Sequence, residues 1–339
     1  MTFKKNKKVK TILSRLIQHE YLSQQEAKQV LTNIAKGDYN PSQIAAFLTV
    51  FMMRPVNAAE LQGFRKALLE LCVPIDLAAF DPIDLCGTGG DGKDTFNIST
   101  LASFVTAGAG VAVAKHGNYG VSSSCGSSNV MEHLGIRFSN EEAFLQNCME
   151  KAGICVLHAP LFHPAMKNVA PVRRELGVKT FFNMLGPMVN PSFPRHQLVG
   201  VFNLELARLY GYLYQNTDKQ YTIVHALAGY DEIALTGPAK IIRNQEEALV
   251  HPEDFGLEPL TAAQIAGGDS VPAAASIFMQ VLKGEATEAQ QQVVCANAAL
   301  AIVTKLDCSL TTAYEKAVVS LTGGHALKAF ETLQKLSAE

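Results

Sequence analysis

The sequence predicts an α/β protein, with a small all-α N-terminal domain and a larger domain whose mainly parallel central sheet is flanked by helices. Three observations carry that expectation. At 339 residues the chain exceeds the length at which a single hydrophobic core stops growing, so two domains are expected. Up to Cys72 it holds helix signals and no convincing strand. From Ile83 onward, short apolar runs alternate with helical stretches, the pattern of a parallel sheet covered by helices. The expected division is residues 1–75 with inserted helices at about 166–187 packing on them, then 76–165 and 188–339.

In chain order, Ser23 and Glu26 form a capping box before a helix that ends near Gly37. Asn40-Pro41-Ser42 opens an apolar run that stops at Arg54-Pro55. Asn57 and Glu60 open another helix, periodic through Leu61, Phe64, Leu68 and Leu71. Strands are expected at 83–86, 111–115, 154–157, 197–202, 221–224 and 240–243, with helices such as 141–152 and 204–214 between them. The tail from Glu288 reads as helices at 296–306 and 310–320, a Gly323-Gly324 stop and a last helix.

Composition narrows the function classes. Nearly half the residues are hydrophobic and 18% are charged, as in an ordinary globular protein. A net charge of −2 argues against a nucleic-acid binder that relies on bulk electrostatics. The basic cluster Lys4, Lys5, Lys7, Lys8 and Lys10 reads as a solvated helical turn. Seven scattered cysteines without a C-x-x-C pair fit reduced core residues in a cytoplasmic protein. No signal peptide or membrane span is read, and no nucleic-acid or membrane partner is expected.

The most informative stretch runs from Asp84 to Gly92, where a strand enters four glycines within six residues: Gly87, Gly89, Gly90 and Gly92. Glycine admits positive φ, which turns successive N–H groups toward one anion, and the next helix adds its positive end. The P-loop signature is absent. Gly87, Gly89 and Gly92 match G-x-G-x-x-G, but the following strand ends in Lys115-His116, not in the carboxylate that holds a ribose diol. A basic strand end suits phosphate.

Other unusual residues also follow the carboxyl ends of strands, the edge at which open parallel sheets bind ligands. Ser99 and Thr100 fit either a helix cap or a phosphate or metal-water contact. Lys115-His116-Gly117-Asn118 and the hydroxyl-rich 121–128 loop read as a second anion cradle. Asp231 and Glu232 suit either a helix's first turn or Mg²⁺, which takes one or two carboxylates beside phosphate oxygens. His163 and Arg173 begin the inserted helices, and Arg173 could fork onto a carboxylate. Zinc-protease, Cys–His metal and G-x-S-x-G patterns are absent.

In this order, Cys86 to Gly92, Asn97 to Thr100, Lys115 to Asn118, Val121 to Gly135, His163 to Val169, Asn183 to Pro191 and Asp231-Glu232-Ile233 resemble the anthranilate phosphoribosyltransferase family, of type III phosphoribosyltransferase fold. The resemblance spans essentially the whole chain. It implies Mg²⁺-dependent transfer of a phosphoribosyl group from phosphoribosyl pyrophosphate (PRPP) to anthranilate in tryptophan biosynthesis. It also implies a homodimer formed through the helical domains. By position, Gly87, Gly90, Asp91, Thr95, Asn97, Ser99, Thr100, Lys115 and Ser127 would hold PRPP, and Ser99, Asp231 and Glu232 would engage Mg²⁺. Gly87, His116, Asn118, His163, Arg173, Gly186 and Pro187 would contact anthranilate, with His116 the candidate proton relay.

The chain departs from the family's commonest pattern at three places. Tyr119 stands where many members have arginine, Ser124 where many have lysine, and Asn129 where many have aspartate. Two cations are thus missing from the phosphate-facing loop. A pyrimidine nucleoside phosphorylase is the alternative enzymatic reading, and the glycine loop and the 183–191 block fit it less well.

Overall fold

The computed structural model describes residues 2–120, 125–244, 246–306 and 308–338, with side chains from Val9 onward. The chain forms two compact units, Met1–Pro74 with Ala159–Pro191, and Ile75–His158 with Ser192–Glu339. Residues 159–165 and 188–191, grouped on sequence with the larger domain, fall in the smaller unit. Val73 N donates to Phe162 O at 2.8 Å, and Arg65 Nε to Met188 O at 3.2 Å.

The smaller unit is all helical, with main helices Thr2–Ile17, Gln24–Ala35, Pro41–Met53 and Ala58–Leu71. Three begin where the sequence places a cap: Ser23, Asn40 and Asn57 each accept from the N3 amide while the N3 side chain returns the bond. Phe181 completes an aromatic core with Phe47, Phe51 and Phe64, its ring stacked on Phe64 at 4.5 Å. A buried ion pair closes the far side. Arg54 Nη2 lies 2.6 Å from Glu60 Oε1, and its guanidinium is flanked by the rings of Tyr21 and Phe51.

The larger unit is built on a seven-stranded sheet: β1 (Ile83–Gly87), β2 (Val113–Gly117), β3 (Ile154–His158), β4 (His196–Gly200), β5 (Gln220–Ala226), β6 (Ala239–Arg243) and β7 (Glu246–Val250). The spatial order is β3-β2-β1-β4-β5-β6-β7, parallel through β5 and antiparallel at β6 and β7. Helices cover both faces. Thr222 Oγ1 meets Thr304 Oγ1 of helix Glu288–Lys305, while the neighbouring Tyr221 ring meets Tyr214 of helix Leu204–Tyr214. Successive strand residues point to opposite faces, so those helices lie on opposite sides.

Several boundaries differ from the expected ones. The second strand starts at Val113 because Gly110 turns the chain with φ +87°. It runs on through Lys115 and His116, since Lys115 Nζ donates to Leu85 O at 2.7 Å and His116 N to Asp84 Oδ1 at 3.1 Å. The helix after the glycine loop is Ile98–Gly108, so Ser99 and Thr100 lie inside its first turn, and its N-cap Asn97 makes no side-chain cap bond. No helix follows Asp231-Glu232, which removes the helix-start reading of those carboxylates. Strand β7 and helix Val271–Leu282 have no counterpart in the expected elements.

Candidate active site

The strand order reverses between β1 and β4, whose last residues, Gly87 and Gly200, are register partners. Ligands bind open α/β sheets outside the strand ends at such a switch point. The loop after β5 delivers Asp231 there. A Cβ built on Gly87 would collide with the Asp231 carboxylate, and one on Gly200 with the Asp231 carbonyl oxygen. Both strands end in glycine because the loop passes directly over them.

Gly89, Gly90 and Gly92 all have positive φ, at +62°, +79° and +74°. The Gly89 amide is turned onto Asp231 Oδ2 at 2.7 Å. The amide of Ser99, at the start of its helix, donates to Glu232 Oε1 at 2.8 Å, and the Ser99 hydroxyl bonds the same carboxylate. Asp91 lies within hydrogen-bonding reach of Asp231. The loop that the sequence assigns to an anion and the carboxylates it assigns to a cation thus share one place.

Three carboxyl groups crowded in a buried site repel one another. Burial, then Glu232 and Asp91, push the Asp231 carboxyl well above its ordinary range. Burial pushes Glu232 up to about 7 from 4.5, against the Ser99 hydrogen bonds and the nearby Lys115 ammonium. Excess negative charge held by amides at its back suits a hard divalent cation shared with phosphate oxygens. Among the described residues no group of three or more His, Cys, Asp and Glu side chains forms a ready cation cage. One or two carboxylates plus phosphate need none.

A pH dependence follows. Because the folded-state value of Glu232 is raised, its contribution to stability is full below 4.5 and is lost as pH rises through about 7. The melting temperature of the free protein is therefore expected to fall by more between pH 5 and pH 8 in the wild type than in Glu232→Gln, and an equal fall in both would show that Glu232 does not titrate in this range.

Of the remaining donor candidates, Lys115 is near enough to Glu232 to act on its charge. Thr95 is pinned by a bridge to Ala266, and Gly267 N donates to Asp94 O at 2.7 Å. Asn97 Nδ2 donates to Cys125 O at 3.0 Å, tying the start of helix Ile98–Gly108 to the second loop. Thr100 is buried in the helix. Lys115 is buried too, and desolvation lowers its pKa. Ser127 Oγ and Ser128 N both donate to Asn118 O at 3.2 Å. His116 is buried, its amide held by Asp84.

Residues 121–124, including Ser124 and half of the hydroxyl-rich stretch, lie outside the described residues, as do the side chains of Lys4, Lys5, Lys7 and Lys8. At the other departures, Tyr119 Oη donates to Glu132 Oε1 at 3.3 Å, and its ring edge meets His158 at 4.7 Å. Asn129 Oδ1 accepts from Gly120 N at 3.0 Å and Gly126 N at 3.2 Å, so the amide fills the turn-closing role open to an aspartate.

His163, Arg173, Gly186 and Pro187 belong to the smaller unit. His163 is buried, which brings its imidazole down to about 4 and keeps it neutral near pH 7. Arg173 Nη2 donates to Asn183 Oδ1 at 3.0 Å, and its guanidinium sits 5.4 Å from the Phe182 ring. Its Nε is buried without a hydrogen-bond partner among the described residues, and burial lowers its pKa. A cation in that state suits an incoming carboxylate. Gly186–Met188 forms a single 3₁₀ turn.

Sequence reasoning missed several residues. Asp84, fully buried in β1, accepts from His116 N and from Gln197 Nε2 at 3.3 Å, and Tyr214 Oη fixes Gln197 at 2.8 Å. A lone carboxylate inside an apolar strand was a legible signal, because buried charge requires partners. Gly200, a glycine ending a strand, was another. Lys93, 4.8 Å from the Tyr230 ring centroid, adds a cation next to the Asp91 loop and gave no signal.

Comparison with known proteins agrees with this layout. The family model for the helical bundle domain of a glycosyl transferase family matches residues 10–72, and that for its a/b domain matches residues 80–327. The chain is 66% identical to an anthranilate phosphoribosyltransferase of Flavobacterium johnsoniae, over 97% of this chain and 100% of that one. The Thermus thermophilus anthranilate phosphoribosyltransferase structure is similar with a TM-score of 0.88 and 31% identity, over 96% of this chain and 99% of the other. The Saccharomyces cerevisiae enzyme in complex with PRPP and Mg matches at 0.89 and 26%, over 98% of each chain.

Proposed function

The chain belongs to the anthranilate phosphoribosyltransferase family of glycosyl transferases, and from that premise we propose how its own residues carry out Mg²⁺-dependent phosphoribosyl transfer from PRPP to anthranilate. The reaction belongs to tryptophan biosynthesis, and family membership favours it over the nucleoside phosphorylase alternative. The observation that carries the mechanism is the juxtaposition of Asp91, Asp231 and Glu232 with the Gly89 and Ser99 amides at the β1/β4 switch point.

In the transfer, the bond from ribose C1 to the pyrophosphate oxygen breaks and a bond from C1 to the anthranilate nitrogen forms. That nitrogen loses one proton, and pyrophosphate leaves with the bonding pair. When bound, Mg²⁺ supplies charge neutralisation for the departing pyrophosphate. Asp231 and Glu232, whose crowded carboxyl groups are pushed upward in pKa, would hold it together with the Ser99 hydroxyl. Gly87, Gly90, Asp91, Thr95, Asn97, Thr100, Lys115 and Ser127 bind PRPP, and backbone and hydroxyl donors of this kind would stabilise the charge that develops on the leaving group. An aryl amine attacks without prior deprotonation, so no strong base is required. His116 carries the released proton, and Asp84 fixes its backbone. Gly87, Asn118, His163, Gly186 and Pro187 contact anthranilate, and Arg173 takes its carboxylate.

The test is the fluorescence of anthranilate. Loss of signal is expected only when PRPP and Mg²⁺ are both present. A signal that persists, with phosphorolysis of thymidine or uridine in its place, overturns the reading. Arg173→Lys is expected to raise the KM for anthranilate about 10- to 100-fold and leave the KM for PRPP unchanged, because a charged hydrogen bond contributes about 1.5–3 kcal/mol. The same reading carries a homodimer formed through the helical units and a cytoplasmic setting, with sedimentation velocity as the check on assembly. Among the described residues no helix is long and apolar enough to cross a membrane.

A further inference from the structure

We propose that Asn297 is a positioning residue for the Mg²⁺·PRPP site, holding the peptide directly behind Asp231 and Glu232. This inference rests on the function proposed above. Asn297 lies in the middle of helix Glu288–Lys305 and is 3% exposed. Its Oδ1 accepts from Ile233 N at 3.0 Å, and its Nδ2 donates to Ile233 O at 2.8 Å and to Val293 O at 2.8 Å. The carboxamide therefore grips both polar groups of the residue that follows Glu232, as a neighbouring strand would.

Asparagine is an unfavourable choice for a buried helix interior on other grounds. Its helix propensity is low, and a desolvated carboxamide is costly unless its bonds are made. Leucine would fill the space at lower cost. The loop supplies the reason for the amide. Asp231 is buried and Glu232 half-buried beside Asp91; the Gly89 amide holds the tip of Asp231, and the Ser99 amide and hydroxyl hold that of Glu232. Gly200 bounds the Asp231 carbonyl from the sheet side. Mutual repulsion pushes the two carboxyl groups out of this slot, and Asn297 anchors the backbone on the helix side. Only asparagine, with its acceptor and donors in one short plane, pairs with an N–H and a C=O of the same residue at this distance.

The experiment compares Asn297→Leu and the milder Asn297→Ser with Ser320→Ala in the full chain. Ser320 is buried and donates to Val105 O at 2.7 Å, so its loss removes a buried hydrogen bond without touching the 231–233 loop. Two quantities are read: PRPP affinity by calorimetry across a Mg²⁺ titration, and the hydrogen-exchange rate of the Ile233 amide in the free protein. Both Asn297 variants are expected to weaken Mg²⁺-dependent PRPP binding about tenfold or more, the effect of roughly 1.4 kcal/mol, and to speed Ile233 exchange. Their KM for anthranilate stays at the wild-type value. Ser320→Ala is expected to lower the melting temperature and leave the Mg²⁺ midpoint in place.

If Asn297→Leu fails to fold, Asn297→Ser decides the question. Asn297 variants that lose stability like Ser320→Ala but keep the wild-type Mg²⁺ midpoint and PRPP affinity overturn the proposal. A wild-type protein that binds no PRPP refutes the proposed function instead, so the two failures are distinguishable.

Discussion

Asp231→Asn combined with Glu232→Gln is expected to abolish Mg²⁺-dependent turnover, and each change alone to lower kcat/KM by about 10²–10³. The amides keep volume and retain an oxygen that can accept from the Gly89 and Ser99 N–H groups, so the loop stays in place. What they remove is charge. The free protein should respond in the opposite sense. Both carboxyl groups have raised folded-state values, so ionisation costs stability above about pH 7, and neutral amides remove that cost. At pH 8 the double variant is expected to melt higher than wild type without ligand and to gain nothing from Mg²⁺ with PRPP. A double variant that retains Mg²⁺-dependent turnover removes the metal assignment altogether.

Glu60→Ala is expected to cost about 3–5 kcal/mol of stability, the largest loss from a single change in the smaller unit. Glu60 is fully buried and takes Arg54 at both oxygens, with Nη2 at 2.6 Å and Nη1 at 3.0 Å. It also accepts from Leu22 N at 2.9 Å and Asn57 N at 3.1 Å. Truncation leaves a guanidinium buried between two aromatic rings with no counter-charge and orphans two amides. Replacing both partners, Arg54→Met with Glu60→Leu, is expected to recover much of the loss, because an apolar pair of similar volume avoids the desolvation cost. Urea unfolding of the two variants is the check. A loss of about 1 kcal/mol or less for Glu60→Ala would class the pair with exposed salt bridges.

Glu60 also illustrates how far the sequence could be read. Its part in a capping box was legible from Asn57 three residues earlier. Its pairing with Arg54 and Leu22 was not, because nothing local says that a capping carboxylate is buried. The glycine loop and the helical start were legible for the same local reasons. Strand β7 was not, since Glu246-Glu247-Ala248-Leu249-Val250 is mostly exposed and reads as a solvated stretch. The second strand was placed two residues early because Lys115 and His116 looked like an end. Carbonyl and carboxylate partners from β1 let them continue the strand.

The sequence by itself determined what depends on neighbours a few residues apart: capping boxes, apolar periodicity, and glycines that can take positive φ. It also limited which residues carry charge at the ends of strands. Only the tertiary structure decided that Asp231 meets Gly89 across 142 positions, that Gly87 and Gly200 leave room for it, and that Asn297 secures the peptide behind it. The reason is physical. Backbone preferences act over one or two turns of chain, whereas these contacts depend on β1 and β4 lying side by side, a consequence of how the whole sheet buries its faces.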